Sequence, residues 1–357
     1  MTIIDKNTSK EEIFNLLLKN RHISKQSTKE FLSPSSPLSF LASDFGINQK
    51  NLDMAIKRIN YAIKNKQNIL IYGDYDVDGL TATAIIWQVL FKKKANITPF
   101  IPDREEDGYG FKATSFFKFQ EQKKIKFDLL ITVDNGIVAH NELKKIIDSG
   151  IDIIISDHHL ADKPLPKSII SIHSTIVSGS VVSWLIAREI DKTADLGLAA
   201  LGTVADCLPL NNLNRNIVFH GLKSLQNNPN YGVKKLIQIS GIKQNKISTY
   251  ELGFVIGPRL NAVGRLSNPT DALRLLCSLS ENQASKYAKI LDSYNKDRQS
   301  LQQESIDFAQ KHIKVNKNKV IFISHTSFLP GIIGLIASRF TEKYYLPSIV
   351  ISIGEKI

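Results

Sequence analysis

From Asn68 the chain alternates short, nearly continuous apolar runs with amphipathic segments. NILIYG is followed by a helical pattern from Gly79, ITPFIP by one near Thr114, FDLLITV by one near Glu142, and then come IDIIIS and SIISI. Apolar runs without alternation suit strands buried on both faces, and their interleaving with helices predicts a parallel β-sheet flanked by helices, an α/β fold. Before it, residues 10 to 66 place apolar residues at three- and four-residue spacing in EEIFNLLLKN and NLDMAIKRINYAIKNK, around a loop SPSSPLS, which predicts helices. After Val181 the pattern is again mainly helical. The polar-rich segment ASKYAKILDSYNKDRQSLQQESIDFAQKHI predicts a long, exposed connector helix, and KVIFIS, GIIGLIASRFTEKY and PSIVIS begin a second α/β unit. The expected organisation is an N-terminal helical segment (1–66), an α/β domain (67–280), a connector helix (281–315) and the start of a second α/β domain (316–357).

Composition narrows the class without naming it. A hydrophobic fraction of 43% over 357 residues supports packed cores rather than disorder. Two cysteines, Cys207 and Cys277, are too few for a disulfide framework, which fits a reducing cytoplasm. No apolar run is long enough to span a bilayer, so no membrane association is expected. Lysine and arginine number 46 against 34 acidic residues, a formal charge of +12. Such a chain attracts polyanions, although a lysine-rich solvated surface gives the same count.

The candidate chemistry sits at the predicted strand ends. YGDYDVDGLTATA places Asp74, Asp76 and Asp78 between a strand and a helix, and alternate carboxylates there cannot all be buried without a compensating cation. Hard divalent ions such as Mn²⁺ or Mg²⁺ suit oxygen donors of this kind, whereas a calcium loop would need a glutamate where this segment becomes an apolar helix. ITVDNGI adds Asp134, IIISDHHL adds Asp157, His158 and His159, and GTVADCLPL adds Asp206. Taken singly, Asp134 reads equally as a helix cap, either histidine as a satisfied core residue, and Asp206 as a turn former. Their repetition at successive strand ends of one parallel sheet changes the picture, because such ends converge on one edge.

The order GDYDVDG, VDNGI, SDHH and ADCLPL resembles the four signature motifs of the DHH phosphoesterase superfamily. KEFLSPS, IPDREEDGYG, LGFVIGPRLNAVGRL and FLPGIIGLIASR resemble its RecJ branch, the single-strand-specific 5′ to 3′ exonucleases. The resemblance implies a DHH phosphoesterase domain at 67–280 and a metal-dependent exonuclease acting on single-stranded DNA in repair and recombination, with two divalent cations activating water. Mn²⁺ is favoured because an imidazole ligand suits a softer ion, with Mg²⁺ as the alternative. It further implies Asp76 and Asp78 as a metal-binding pair, Asp134 as the carboxylate bridging two ions, and His158 and Asp206 as ligands of the second ion. Asp74 either completes the first ion's shell or orders its neighbours. His159 would face the scissile phosphate, with Asp157 holding an imidazole in orientation. Arg104 would hold the substrate's terminal phosphate, Arg259, Asn261 and Arg265 would contact phosphates, and Ser338 and Arg339 would contact nucleic acid from the second unit. The implied partners are a single strand with a 5′ end, a single-strand-binding protein and a helicase, with the chain itself a monomer.

Two stretches depart from the resemblance. SIISIHSTIVSGSVVS is shorter than the family's segment after DHH, which puts local folding or substrate fit beside the metal edge in question, and Phe328-Leu329 stands where an aromatic-histidine pair is usual. The family's complete second domain and oligonucleotide-binding barrel do not fit before Ile357, so the chain reads as C-terminally truncated. Two other functions fit the same residues: a DHH-type phosphodiesterase on short oligonucleotides or cyclic dinucleotides, and an inactive DNA-binding scaffold lacking its C-terminal domains.

Overall fold

A computed structural model describes residues 9–104, 106–313 and 319–354. Its centre is a five-stranded sheet of β1 (Asn68–Tyr72), β2 (Asn96–Phe100), β3 (Leu129–Val133), β4 (Asp152–Asp157) and β5 (Ile170–His173), in the order β2-β1-β3-β4-β5. Every pairing is parallel. The apolar runs have the period-two logic of a sheet covered twice. Ile69, Ile71, Leu129, Ile131 and Ile154 enter one core, whereas Leu70, Tyr72, Leu130, Ile153 and Ile155 enter the other. Helices Gln49–Lys64, Val77–Lys92 and Gly179–Ile190 cover the first face, and Ala113–Lys123 and His140–Asp148 the second. Each buried isoleucine or leucine contributes about 1.5–3 kcal/mol by leaving water.

Strand order reverses between β1 and β3, so the loops after these strands splay apart and leave a crevice at the carboxyl edge of the sheet. The loops after β1, β3 and β4 carry the motifs GDYDVDG, VDNG and DHH to that edge. The helix after β1 starts at Val77 rather than Gly79, because Asp76 is its N-cap and accepts a hydrogen bond from the Gly79 N–H at 3.0 Å.

The N-terminal helical segment is fastened to the α/β body by polar contacts: Arg215 Nε donates to the Phe31 carbonyl at 2.6 Å and its guanidinium lies 3.8 Å from the Phe31 ring centre. The long helix, Glu281–His312, is less exposed than its composition implies. Ala284, Ala288 and Leu291 belong to the first core and Ile306 and Ala309 to another, so one helix contributes a buried face to both. That other core lies under a parallel pair, β6 (Ile321–His325) and β7 (Ser348–Ser352), and the helix Ile333–Tyr344. Phe328 is buried in it and Leu329 is exposed. The expected junction at 315–316 lies outside the described residues. Among the described residues, no helix is long and apolar enough to cross a membrane.

Candidate metal centre

Asp134 occupies the middle of the carboxyl edge, in a backbone conformation that costs energy. Its φ is 61°, left-handed and disfavoured for a residue with a Cβ by about 1–2 kcal/mol, and its N–H is held by the Ser156 carbonyl at 2.8 Å. The strain aims a carboxylate into the crevice, where Oδ1 is buried without a hydrogen-bond partner. His158 Nε2 is 3.1 Å from that oxygen and 3.7 Å from both Asp78 Oδ2 and Asp206 Oδ2. Donor atoms of Asp74, Asp76 and Asp134 lie within 4.8 Å of one another, as do those of Asp78, His158 and Asp206, and those of Asp134, His158 and His159.

The segment after β5 adds backbone donors to this site. It begins the helix Gly179–Ile190, whose first N–H groups bind Asp78: Gly179 N donates to Oδ2 at 2.7 Å and Ser180 N to Oδ1 at 3.0 Å. Helix N-termini favour negative charge, so this end supports a carboxylate that burial alone would disfavour. Gly179 is required for the approach, since a Cβ there would lie 2.5 Å from Asp134 Oδ1.

The electrostatics are those of a cage built around positive charge. Burial, and then Asp76, push the Asp74 carboxyl up to about 7; burial, and then Asp78, push Asp206 up to about 7. Burial and the neighbouring Asp78 hold Asp134 well above the usual range, and raise Asp76 as well. Asp157 behaves oppositely: burial raises it, but hydrogen bonds from the His159 ring and the Ile137 N–H outweigh burial and leave it below an ordinary aspartate. Its Oδ1 takes the His158 N–H at 2.7 Å, the His159 N–H at 3.2 Å and His159 Nδ1 at 2.8 Å, while Oδ2 takes Ile137 N at 2.9 Å.

Burial and this carboxylate together separate the two histidines. Burial holds His158 below the usual imidazole value, which keeps it neutral with a lone pair to donate, whereas the hydrogen bond to Asp157 raises His159 and favours its cation. With Nδ1 on Asp157, His159 offers Nε2 to the crevice, where it meets the Tyr109 hydroxyl at 3.0 Å. The donor set, carboxylate oxygens plus one neutral imidazole around a buried unpaired oxygen, fits hard to borderline divalent ions such as Mn²⁺ and Mg²⁺.

The expected phosphate contacts divide into two groups. The Arg104 guanidinium lies 5.7 Å over the Tyr75 ring, and Arg265 donates to the Gly331 carbonyl at 3.0 Å. Both act electrostatically on the Tyr75 hydroxyl, and Arg265 also senses Asp76, so they gather on the β1 side of the cluster. Arg259 is engaged elsewhere: Nε pairs with Asp292 at 3.0 Å and a terminal nitrogen donates to the Val255 carbonyl at 2.8 Å. Asn261 is half-buried on the same helix, Gly257–Leu266. Ser338 and Arg339 are exposed on Ile333–Tyr344, with Arg339 3.7 Å from Glu342.

Sequence reasoning passed over Tyr109, Asn135 and Gly179. Tyr109 stands between Gly108 and Gly110, both at φ 77°, and this glycine-flanked aromatic in EEDGYG was the available signal. Nothing in the local sequence marks Gly179 as the neighbour of Asp134.

The model of the DHH family's N-terminal domain matches residues 68–206. The single-stranded-DNA-specific exonuclease RecJ of Bacillus subtilis is 34% identical over 323 residues, covering 86% of this chain and 40% of the relative. A crystal structure of exonuclease RecJ bound to manganese superposes with a TM-score of 0.76 at 30% identity, over 85% of this chain and 80% of that one. RecJ from Thermus thermophilus in complex with Mn²⁺ gives a TM-score of 0.80 at 28% identity, over 94% of this chain and 50% of that one, and the same protein is also known with Mg²⁺. The chain thus spans 40% of the Bacillus relative and half of the Thermus one.

Proposed function

The chain belongs to the RecJ branch of the DHH family, and from that premise we propose that it is a metal-dependent exonuclease hydrolysing phosphodiester bonds of single-stranded DNA from the 5′ end. The observation that carries the reading is Asp134, which shares donor groups with Asp74 and Asp76 and with His158 and His159, and whose buried Oδ1 has no hydrogen-bond partner and lies 3.1 Å from His158 Nε2. Two divalent ions would complement these donors, one held by Asp74, Asp76 and Asp134 and the other by Asp78, His158 and Asp206. Divalent cations held there would supply Lewis-acid charge to the phosphodiester and make a water acidic enough to attack at neutral pH.

The protein's own residues set the geometry. Neutral His158 presents Nε2 to the Asp78, Asp134 and Asp206 carboxylates, and the Gly179–Ile190 helix fixes Asp78 from behind. Asp157 holds His159 so that its Nε2 proton faces the crevice, where a charge-assisted hydrogen bond to a non-bridging phosphate oxygen would grow as charge develops in the transition state. Arg104 and Arg265 supply positive charge beside the β1 loop, suited to a terminal 5′ phosphate one nucleotide from the cut. Mn²⁺ is preferred over Mg²⁺ because of the imidazole donor.

The test is hydrolysis of a 40-mer single strand labelled at either end, the matching duplex, a 5-mer and a cyclic dinucleotide, with Mn²⁺ and with chelator. Metal-dependent release of mononucleotides from the 5′ end of the 40-mer supports the proposal. Preferential cleavage of the 5-mer or cyclic dinucleotide would transfer the chain to a small-substrate phosphodiesterase, and strand binding without any hydrolysis would leave a DNA-binding scaffold.

A further inference from the structure

Beyond His159 the crevice continues into a cleft of about 750 Å³ that the proposed reaction leaves unused. Its lining includes Lys112, Asn135, Val138, His159, Leu160 and Lys163, from the loops after β3 and β4 and the approach to the Ala113–Lys123 helix. In the sheet, β3 lies between β1 and β4. Arg104 and Arg265 lie around Tyr75 in the loop after β1, Asp134 follows β3, and the cleft runs on from His159 between the loops after β3 and β4 and residues 109–112 after β2. A strand whose 5′ phosphate meets those arginines, and whose first phosphodiester lies between Asp134 and His159, therefore continues toward the cleft.

The lining has the chemistry of a nucleotide. Leu160 is 82% exposed and Val138 53%, two large apolar side chains left in water beside a cluster of charges. A nucleobase packed on them would recover that area. Asn135 is only 4% exposed; its Nδ2 donates to the Val133 carbonyl at 3.0 Å, and its Oδ1 has no partner. An exocyclic amino group of a base is the kind of donor that oxygen lacks. Lys112 and Lys163 are exposed at the cleft, where ammonium groups can meet a phosphate.

Resting on the nuclease reading above, we propose that the cleft is the subsite for the nucleotide on the 3′ side of the scissile phosphate. Its base lies against Val138 and Leu160, Asn135 accepts from its amino group, and Lys112 and Lys163 neutralise the phosphate that follows. This subsite makes the second nucleotide of the strand, rather than the one released, the position at which base identity is felt.

The test uses the full chain and 5′-phosphorylated oligodeoxynucleotides that are intact, abasic at the second nucleotide, or abasic at the fourth. Binding is measured by fluorescence anisotropy in chelator. Leu160→Ala and Val138→Ala should each weaken binding of the intact strand about five-fold or more. The loss should persist on the strand abasic at the fourth nucleotide and shrink to within about two-fold on the strand abasic at the second, because base and side chain act on one another. Val138 is included because it does not adjoin a metal donor in sequence. Equal losses on all strands, or no loss on any, overturn the subsite. Cutting of the same strands in Mn²⁺ reports on the nuclease reading separately: cutting with position-independent binding removes the subsite alone, position-dependent binding without cutting removes the nuclease alone, and neither position-dependent binding nor cutting removes both.

Discussion

Asp157→Asn isolates the part of the site that works through position rather than contact. The aspartate accepts four hydrogen bonds, three on Oδ1 and one on Oδ2, and is 0% exposed. An asparagine keeping its carbonyl at Oδ1 retains three of them but turns an amine toward the Ile137 N–H, setting donor against donor and leaving that N–H unpaired in the interior. Loss of one buried bond to a charged acceptor, together with weakening of the three others, gives an expected destabilisation of about 2–4 kcal/mol. The pH dependence gives the sign. Asp157 has a folded pKa below its unfolded value, so its contribution is present above the ordinary aspartate range and is lost as pH falls through the folded value. His159 has a folded pKa above its unfolded value, so its contribution is complete below about 6.5 and is lost as pH rises through the folded value. The stability difference between the two proteins in chelator should therefore be largest near pH 5 to 6 and shrink toward pH 8, measured by urea denaturation. In activity, the variant should lose about 10–100-fold in kcat/KM, and the alkaline limb of its pH profile should move down as His159 becomes less basic. A stability difference independent of pH, together with an unmoved alkaline limb, would refute the claim that Asp157 sets the charge of His159.

Asp134→Asn tolerates the left-handed backbone but cannot serve two ions as a carboxylate does, so Mn²⁺-dependent hydrolysis should fall to background while the melting temperature in chelator at pH 8 rises, since the removed group's raised pKa opposes folding once it ionises. His158→Ala should weaken Mn²⁺ binding in calorimetry. His159→Ala should leave that affinity within about two-fold yet lower kcat by about 10²–10⁴; a larger loss of metal binding from His159→Ala would make it a ligand. Asp74 and Asp206, both raised to about 7, bind protons more tightly folded than unfolded, so metal-free stability should decline from about pH 4 to pH 7 and the stabilisation by Mn²⁺ should grow over the same window. Thermal melts with and without the ion across that range check both. Gly179→Ala should cost about 1–3 kcal/mol and reduce turnover by driving a methyl against Asp134 Oδ1; wild-type stability and rate would mean that the helix shifts freely.

The parts of the molecule that could be read from its sequence are those governed by local pattern. NILIY, LLITV and DIIISD are apolar on both faces because both faces are covered, and acidic residues directly after such runs had to arrive at one edge. Hence Asp74, Asp76, Asp78, Asp134, His158 and Asp206 were legible as a group before any contact was known. Contacts between distant segments were not. The capping of Asp78 by Gly179 and Ser180 spans about a hundred residues, and the pairing of Arg259 with Asp292 joins two separate helices. The buried face of Glu281–His312 was hidden by its composition: small residues at Ala284 and Ala288 bring a polar-looking helix close to the core without an apolar stripe long enough to announce it. Tyr109 escaped because an aromatic residue in a glycine-flanked loop has no periodicity to betray it.

The central claim is that Asp134 lies between two divalent ions. Anomalous diffraction from crystals grown with Mn²⁺, collected on both sides of the manganese edge, tests it most directly. Two peaks are predicted about 3.5–4 Å apart, one beside Asp74 and Asp76 and the other beside His158 and Asp206, with an Asp134 oxygen within bonding distance of each. A single peak that does not touch Asp134, or no peak in the crevice at saturating Mn²⁺, would contradict the account.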